Sequence, residues 1–409
     1  MKKSFIIAAA LILGVCITTA SAVEVTRFGP KQYDRTTGKP NSYTDTFAAS
    51  GAIGGGKLII ENGAVNGDNR VSSAVISLNG QQVFGPSAFN QNVGHLEAPI
   101  NLLDTNTLTA ELRSKPGSYL AVRATQNIPI VVTITNPAHG TSIAKSDIMV
   151  QGTIINPLGN ETGVTVNGVI ASVYGTQFAA SHVPLQQGVN TITATATDTA
   201  GNSVSTSITV NASIPANYIR ITADTEMGIS PLETTLRIEG SFSFAQAPVL
   251  TYAGPGDAQL IENPSPTDYR MRMTTAGIYT FAAEAKDPQG NTYTDTVTVT
   301  VLNKAELDAL LRTKWEGVKS ALGNQNVDGT LKYFAAETKG LYRDIYTALG
   351  ANLPQIAQDM QNVQFIYAEG RLAKYRIRRD EEHGGQVYPI TYYIYFVRDG
   401  DGLWKIYRY

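Results

Sequence analysis

Near the end of the sequence, Lys374, Arg376 and Arg378 alternate with Ala373, Tyr375 and Ile377. An extended chain sends the three cations to one face and the apolar side chains to the other. Tyr388, Tyr392, Tyr393, Tyr395, Trp404, Tyr407 and Tyr409 crowd the same region, with Lys405 among them. Cations set between aromatic rings suit an anionic or polysaccharide surface. Lys374, Arg376, Arg378, Tyr393, Tyr395, Lys405 and Tyr407 are therefore the candidate partner-binding residues. The competing expectation is a solvated sheet face whose cations pair with acids such as Glu369 and Asp380. The aromatic residues not used in a core suit a pocket or a dimer interface.

Other chemistry-bearing residues are less organised. Asp328 or Asp344 with Tyr342, Tyr346 or Tyr375 could supply a carboxylate and a phenol, but no spacing motif selects them, and Asp328 reads as a helix cap. The turns Asp198 to Asn202, Asp287 to Asn291 and Asp399-Gly-Asp-Gly402 present oxygens. Each falls short of the roughly six to eight that calcium takes, and tight-turn chemistry accounts for all three. The histidines, His95, His139, His182 and His383, are scattered without an HxxxH pair, and Cys16 is the sole cysteine. There is no GxSxG, P-loop or dinucleotide glycine fingerprint. No catalytic, metal-binding or cofactor-binding residue is assigned, and the expectation is a protein that is not an enzyme.

The chain has 409 residues, 16% of them charged, and a net charge of −2. That length implies several domains, and that charge gives no field to attract nucleic acid. Lys2 and Lys3, the apolar run from Phe5 to Ile17, and Ala20-Ser21-Ala22 have the form of a signal peptide over residues 1–22. The expectation is export to the periplasm, cell surface or extracellular space, with no transmembrane segment after cleavage. Leu13-Gly14-Val15-Cys16 resembles a lipobox, but Val15 is bulky for that motif, so a lipid anchor at Cys16 is not expected. Cleavage after Ala22 leaves a chain without thiols.

The elements that would position these residues are mostly strands. From Asn190, Thr191, Thr193, Thr195 and Thr197 alternate with Ile192, Ala194 and Ala196, and after Asp198–Asn202 the alternation resumes at Val204, Ile208 and Val210. This predicts a hairpin with one buried face and one hydroxyl face. Residues 23–127 read as a β domain with strands at Tyr43–Ala48, Lys57–Glu61, Val71–Leu78, Leu108–Arg113 and Tyr119–Ala124. Asn79-Gly80 and Asn106-Thr-Leu-Thr there match Asn167-Gly168 and Asn190-Thr-Ile-Thr, which suggests a domain-length repeat.

In residues 128–213, Gly163-Val-Thr-Val-Asn-Gly168, Val183-Pro184-Leu185, Gly188-Val189-Asn190 and Asp198-Thr-Ala-Gly-Asn202 resemble a bacterial immunoglobulin-like domain of the glucodextranase domain B type. That resemblance implies an accessory module, not a catalytic one. In residues 217–302, Ser230-Pro231-Leu232, Ala276-Gly277-Ile278-Tyr279-Thr280-Phe281 and Asp287-Pro-Gln-Gly290-Asn291 resemble a polycystic-kidney-disease-type (PKD) sandwich. Tyr252–Asp257 replaces that family's Trp-Asp-Phe-Gly-Asp-Gly.

At residue 303 the pattern becomes helical. Asn303 with Glu306 reads as a capping box, and helices are expected after it and at Leu331–Ala336, Leu341–Leu349 and Pro354–Met360. Four closing strands follow, at Val363–Glu369, Leu372–Arg379, Tyr388–Val397 and Leu403–Tyr409. This order, ending in Gly-Leu-Trp404-Lys-Ile-Tyr, resembles the NTF2-like (cystatin-like) α+β fold.

The expected fold class is thus mainly β: three tandem immunoglobulin-like sandwiches and a C-terminal NTF2-like α+β domain at 303–409. The expected role is an exported, non-enzymatic binding or scaffold protein of the bacterial envelope or extracellular space, with a polysaccharide or surface protein as partner. The alternative is a small-ligand carrier or isomerase-like enzyme, since NTF2-like isomerases place a carboxylate and Tyr donors in their cavity.

Overall fold

The computed structural model describes residues 22–49 and 54–409. Residues 1–21 of the leader motif, Cys16 among them, lie outside them. No described helix is long and apolar enough to cross a membrane. The chain is mainly β, with its few helices near the C-terminus, and divides into two compact bodies. One comprises residues 21–130 and 156–160, the other 131–155 and 161–409.

The first body contains two four-stranded sheets. Ala22–Asp34, Tyr119–Pro129, Gly54–Asn62 and His95–Leu102 pair in that order, as do Asn41–Ala48, Thr105–Leu112, Ala74–Leu78 and Gln81–Phe84. Leu58, Ile60, Ile76, Leu78, Leu108, Leu112, Leu120 and Val122 belong to one core. Buried Asn62 pins the neighbouring loops, donating to the carbonyls of Val71 and Val93 and accepting from Val71 N–H. The strands Ala22–Asp34, Gln81–Phe84 and His95–Leu102 were not expected, because their alternation is broken by Gly, Pro and exposed polar residues.

In the second body, the hairpin Gly188–Asp198 and Ser203–Ala212 pairs Thr197 with Ser203 and Asn190 with Val210. Ile192, Ala194 and Ala196 are buried, and on the other face hydroxyls pair as Thr193–Ser207 at 2.9 Å and Thr195–Ser205 at 2.8 Å. Small apolar side chains inside and a hydroxyl ladder outside are what the period-two pattern dictates. This hairpin belongs to a five-stranded sheet accompanied by a four-stranded one made of Val131–Asn136, Asp147–Ile155, Gln177–Pro184 and Ser172–Tyr174.

The repeat can now be placed residue by residue. Asn79 and Asn167 both have positive φ, 52° and 47°. Each bonds the backbone of a threonine on the next long strand, Thr107 for Asn79 and Thr193 for Asn167. Thr107 therefore corresponds to Thr193, whereas the Asn-Thr-Leu/Ile-Thr alignment had matched it to Thr191. A two-residue slip keeps every side chain on its face, which is why the motif match looked sound.

The next segment forms a sandwich from Ile219–Ala223, Leu232–Gly240, Asp268–Met273 and Ala258–Ser265 in one sheet, with Val249–Ala253, Gly277–Lys286 and Thr292–Leu302 in the other. That second sheet does not stop at residue 302. Met227–Ile229 runs parallel to Thr292–Leu302 and on its other edge meets Gln364–Glu369, through Gly228 and Glu369. The result is one eight-stranded sheet continuing through Leu372–His383, Gln386–Arg398 and Trp404–Arg408. The change to helical pattern at residue 303 therefore marks no break in the hydrogen bonding.

Four helices pack on this C-terminal part of the sheet: α1 (Lys304–Gly323), α2 (Val327–Leu331), α3 (Lys339–Leu349) and α4 (Leu353–Asp359). Asn303 caps α1, its side-chain oxygen accepting from Ala305 and Glu306 N–H. The helix expected at Leu331–Ala336 is displaced. Asn326 caps α2 by accepting from Gly329 N–H at 2.8 Å, so the turn begins earlier. Residues 333–335 then run beside the last strand, where Tyr333 O accepts from Ile406 N–H and Ile406 O from Ala335 N–H. Asp328 is not the cap: it is exposed and pairs with Arg343 at 2.7 Å.

A buried polar seam joins the immunoglobulin-like module to this helical part. Lys314 on α1 lies 2.5 Å from Glu161, both nearly buried, and Glu161 also accepts from Trp404 N–H. Arg398 donates to the carbonyls of Ala171 and Gly402. Gly163 is packed so closely on Asp401 and Gly402 that a Cβ would run into their backbone.

Candidate functional site

The strand Leu372–His383 places Lys374 opposite Tyr395, Arg376 opposite Tyr393 and Arg378 opposite Thr391 on the neighbouring strand. Ala373, Tyr375 and Ile377 are buried on the opposite face. On the outward face, Lys374 Nζ sits 4.0 Å from the Tyr393 ring centroid and 5.4 Å from that of Tyr395, and the Arg408 guanidinium is 4.5 Å from Tyr395. Such placements let the ring quadrupoles hold the cations. Arg376 donates to the Gln364 side chain at 3.2 Å.

Among the described residues, none of these four cations makes an ion pair with a carboxylate. Glu369, an expected partner, instead accepts from the Thr225 hydroxyl at 3.1 Å. The face is therefore a row of cations and aromatic rings whose positive charge meets no carboxylate among the described residues.

Two of the seven candidates are not part of it. Lys405 is only 8% exposed, its ammonium held by Asp401 at 3.5 Å and the Lys332 carbonyl at 3.2 Å. Tyr407 is half-buried and donates to Glu337 at 3.3 Å. Lys405 pairs in regular register with Val397 and is covered by Asp401 and Lys332, whereas past Ile406 the pairing is irregular: Phe396 faces Ile406, but Tyr395 faces Arg408. The bulged strand brings Arg408 to the outward face. Simple alternation from Trp404 and Ile406 would have sent Arg408 inward, so no sequence signal pointed to it.

In the interior the aromatic residues pack mainly on one another. Tyr342 and Tyr346 are packed with Phe334 and Tyr409, and the Tyr346 and Tyr409 hydroxyls are 2.6 Å apart. Burial pushes the Tyr409 phenol up to about 12 and raises Tyr346 further. Asp328 and Asp344 are both exposed, so neither meets those phenols inside. The buried Tyr375 hydroxyl instead faces Asp308 on α1, and burial first, then the Asp308 charge, raises its pKa. A hollow of about 290 Å³ lies beside this core, lined by Trp315, Met360, Ile377, Tyr392 and Tyr409, with Asp359 and Arg379 also contributing. Leucine, isoleucine and phenylalanine side chains fill the centre of the domain, among them Leu307, Leu311, Leu322, Phe334, Ile394, Phe396 and Ile406.

The aspartate turns are self-contained. Asp198 accepts from the backbone and side chain of Asn202, and Asp287 does the same for Asn291.

A search of curated proteins finds no match to this sequence. Solved structures that align with it include the fibronectin(III)-like modules of CbhA from Clostridium thermocellum, 14% identical, covering 43% of this chain and 96% of theirs at a TM-score of 0.17. The titin I-band fragment I67-I69 is 10% identical, covering 66% of this chain and 98% of its own at 0.19. Residues 131–214 match the family model described as glucodextranase, domain B, the family that the motifs of this segment resemble.

Proposed function

We propose that this is an exported, non-enzymatic binding protein that carries β-sandwich modules and presents the outward face of its C-terminal sheet to an anionic polysaccharide. The observation that carries it is the row Lys374, Arg376, Arg378 and Arg408 set among Tyr393 and Tyr395, without carboxylate partners among the described residues. Acidic groups of a glycan chain would replace the missing counter-charges, and sugar rings would lie against the exposed tyrosine faces. The immunoglobulin-like character of the module at 131–214 supports a binding or scaffold role. The NTF2-like resemblance of residues 303–409 supports a concave support for the sheet without implying catalysis.

Binding of the whole chain to polygalacturonate, with neutral dextran and a single-stranded oligonucleotide as controls, tests it. Retention on the acidic glycan that falls with salt, and weakens about tenfold, or 1.4 kcal/mol, in a Lys374→Glu/Arg376→Glu variant, is expected. Equal binding to dextran, or preference for the oligonucleotide, overturns the proposal. The carrier or isomerase-like reading has the hollow beside Trp315 in its favour, but the carboxylates nominated for it face solvent.

A further inference from the structure

The strand Gln177–Pro184 carries a bulge that changes where two consecutive side chains point. Its partner pairs are Val150 with Ala180 and Ile148 with Val183, so Ser181 and His182 together oppose Met149. His182 takes up the strain with a φ of 53°. Bulges re-aim side chains, and both of these are turned toward the strand Thr292–Leu302 of the following sandwich. Ser181 Oγ bonds Thr298, at 2.9 Å to its hydroxyl and 3.0 Å to its N–H. His182 Nε2 lies 3.2 Å from Asp295 Oδ2. Asp147, which opens the strand Asp147–Ile155, joins them: one ligand atom from each of Asp147, His182 and Asp295 lies within 4.8 Å of the other two.

The three side chains are largely withdrawn from water, at 17%, 12% and 8% exposure. Their existing bonds leave room for a further partner. Arg220 Nη1 and Ser146 Oγ both bond Asp147 at Oδ2, 3.3 and 3.4 Å away, and Ile221 N–H bonds Asp295 at Oδ2. Three carboxylates, Asp147, Asp295 and Glu226, gather with Arg220 and His182, the two groups whose charge acts on Glu226. Burial holds the Glu226 carboxyl above its usual range despite those two neighbours. A withdrawn cluster of two carboxylates and an imidazole nitrogen within 4.8 Å of one another favours a cation that accepts nitrogen.

We propose that Asp147, His182 and Asp295 bind one divalent ion of the zinc class, joining the immunoglobulin-like module to the sandwich that follows it. One imidazole and two carboxylates are a donor set that zinc accepts, with a coordination position left for water. The imidazole disfavours calcium and magnesium, which require oxygen donors. Asp147 and His182 come from one module and Asp295 from the next, so the ion holds the pair in one arrangement and stabilises the folded chain by mass action.

The test uses the untagged full chain, dialysed against chelator and titrated with ZnCl2, with CaCl2 in parallel and Co²⁺ as a spectroscopic probe. One equivalent of zinc bound, a raised melting temperature, a Co²⁺ d–d absorption band and no response to calcium are expected. His182→Gln and Asp147→Asn should each weaken zinc binding by more than about tenfold and remove the cobalt band. His139→Gln, at an exposed histidine elsewhere on the module, should change neither. Asp147→Asn leaves the His182–Asp295 contact intact, so it reads out the site even where His182→Gln disturbs folding. No zinc uptake by the wild-type chain, or uptake unchanged in both variants, overturns the proposal.

Discussion

Arg376 and Arg398 sit on the two strands of one hairpin and do opposite work. Arg376 lies on the outward face beside Tyr393 and meets only the Gln364 amide. Arg398, at the end of the partner strand, is buried, and its guanidinium is held by the carbonyls of Ala171 and Gly402. Burial lowers its pKa to about 10, against the pull of Glu161. Lys374 and Lys314 differ in the same way, one over a tyrosine ring and one locked to Glu161. The contrast teaches that alternation chooses a face for each side chain, while the module docked on that face decides whether it is wet or dry. A cation on a wet face is available to a partner, and on a dry face it is part of the fold.

The largest expected effect is at the seam. Lys314→Met leaves the Glu161 carboxylate buried without its counter-ion and should cost about 3–5 kcal/mol in urea denaturation. The double variant Glu161→Gln/Lys314→Met should recover most of that loss, because the amide oxygen of Gln can still accept from Trp404 N–H. A single-variant loss below about 1 kcal/mol, the range of exposed pairs, would show that the pair is solvated and that the seam does not exist as described. Next comes Arg398→Met, which strands the Ala171 and Gly402 carbonyls and should cost roughly 1–3 kcal/mol. Arg376→Met should stay within about 0.5 kcal/mol of the parent. Equal losses for the two arginines would erase the distinction between the faces.

A smaller effect is expected in acid. Burial opposes ionisation of Asp295, but bonds from His182, Ile221 N–H and Thr296 N–H outweigh it and hold its pKa below the ordinary 3.8. A carboxylate depressed on folding contributes stability that is complete above the unfolded value and is lost as pH falls through the folded one. Asp295→Asn should therefore lower stability at neutral pH and flatten the stability profile below about pH 4. A profile parallel to that of the parent would mean that Asp295 does not titrate differently in the folded chain.

How much of this was legible in the sequence varies with the kind of contact. The hairpin at 188–212 was readable because its determinants are local: Ile192, Ala194 and Ala196 face one way, and the Asp198 turn closes within five residues. The outward set Lys374, Arg376, Tyr393 and Tyr395 was readable for the same reason. The seam was not. Glu161 and Lys314 are 153 positions apart, and nothing in their neighbourhoods marks either for burial. The bulge at Ser181-His182 was also hidden, since Ala180, Ser181 and His182 carry no turn signal, and Asp295 lies 113 positions away. The continuous eight-stranded sheet depends on Met227–Ile229, three residues too few to show any period.

The finest comparison lies within the last strand, where alternation and geometry name different cations. Lys405 belonged to the candidate set, but it is buried against Asp401 and Lys332, while Arg408 lies over the Tyr395 ring. Arg408→Ala should therefore weaken retention on the acidic glycan by a few-fold, in keeping with about 0.5–1 kcal/mol for one exposed cation on an aromatic face. It should leave the urea midpoint in place. Lys405→Met should do the reverse, moving the midpoint while glycan retention holds, because its ammonium is buried against Asp401 and the Lys332 carbonyl. The pair is best measured side by side at one ionic strength, since salt alone shifts the glycan signal. Loss of binding in Lys405→Met with none in Arg408→Ala would mean that the Lys405 ammonium is free of Asp401 and that alternation was the better guide to this face.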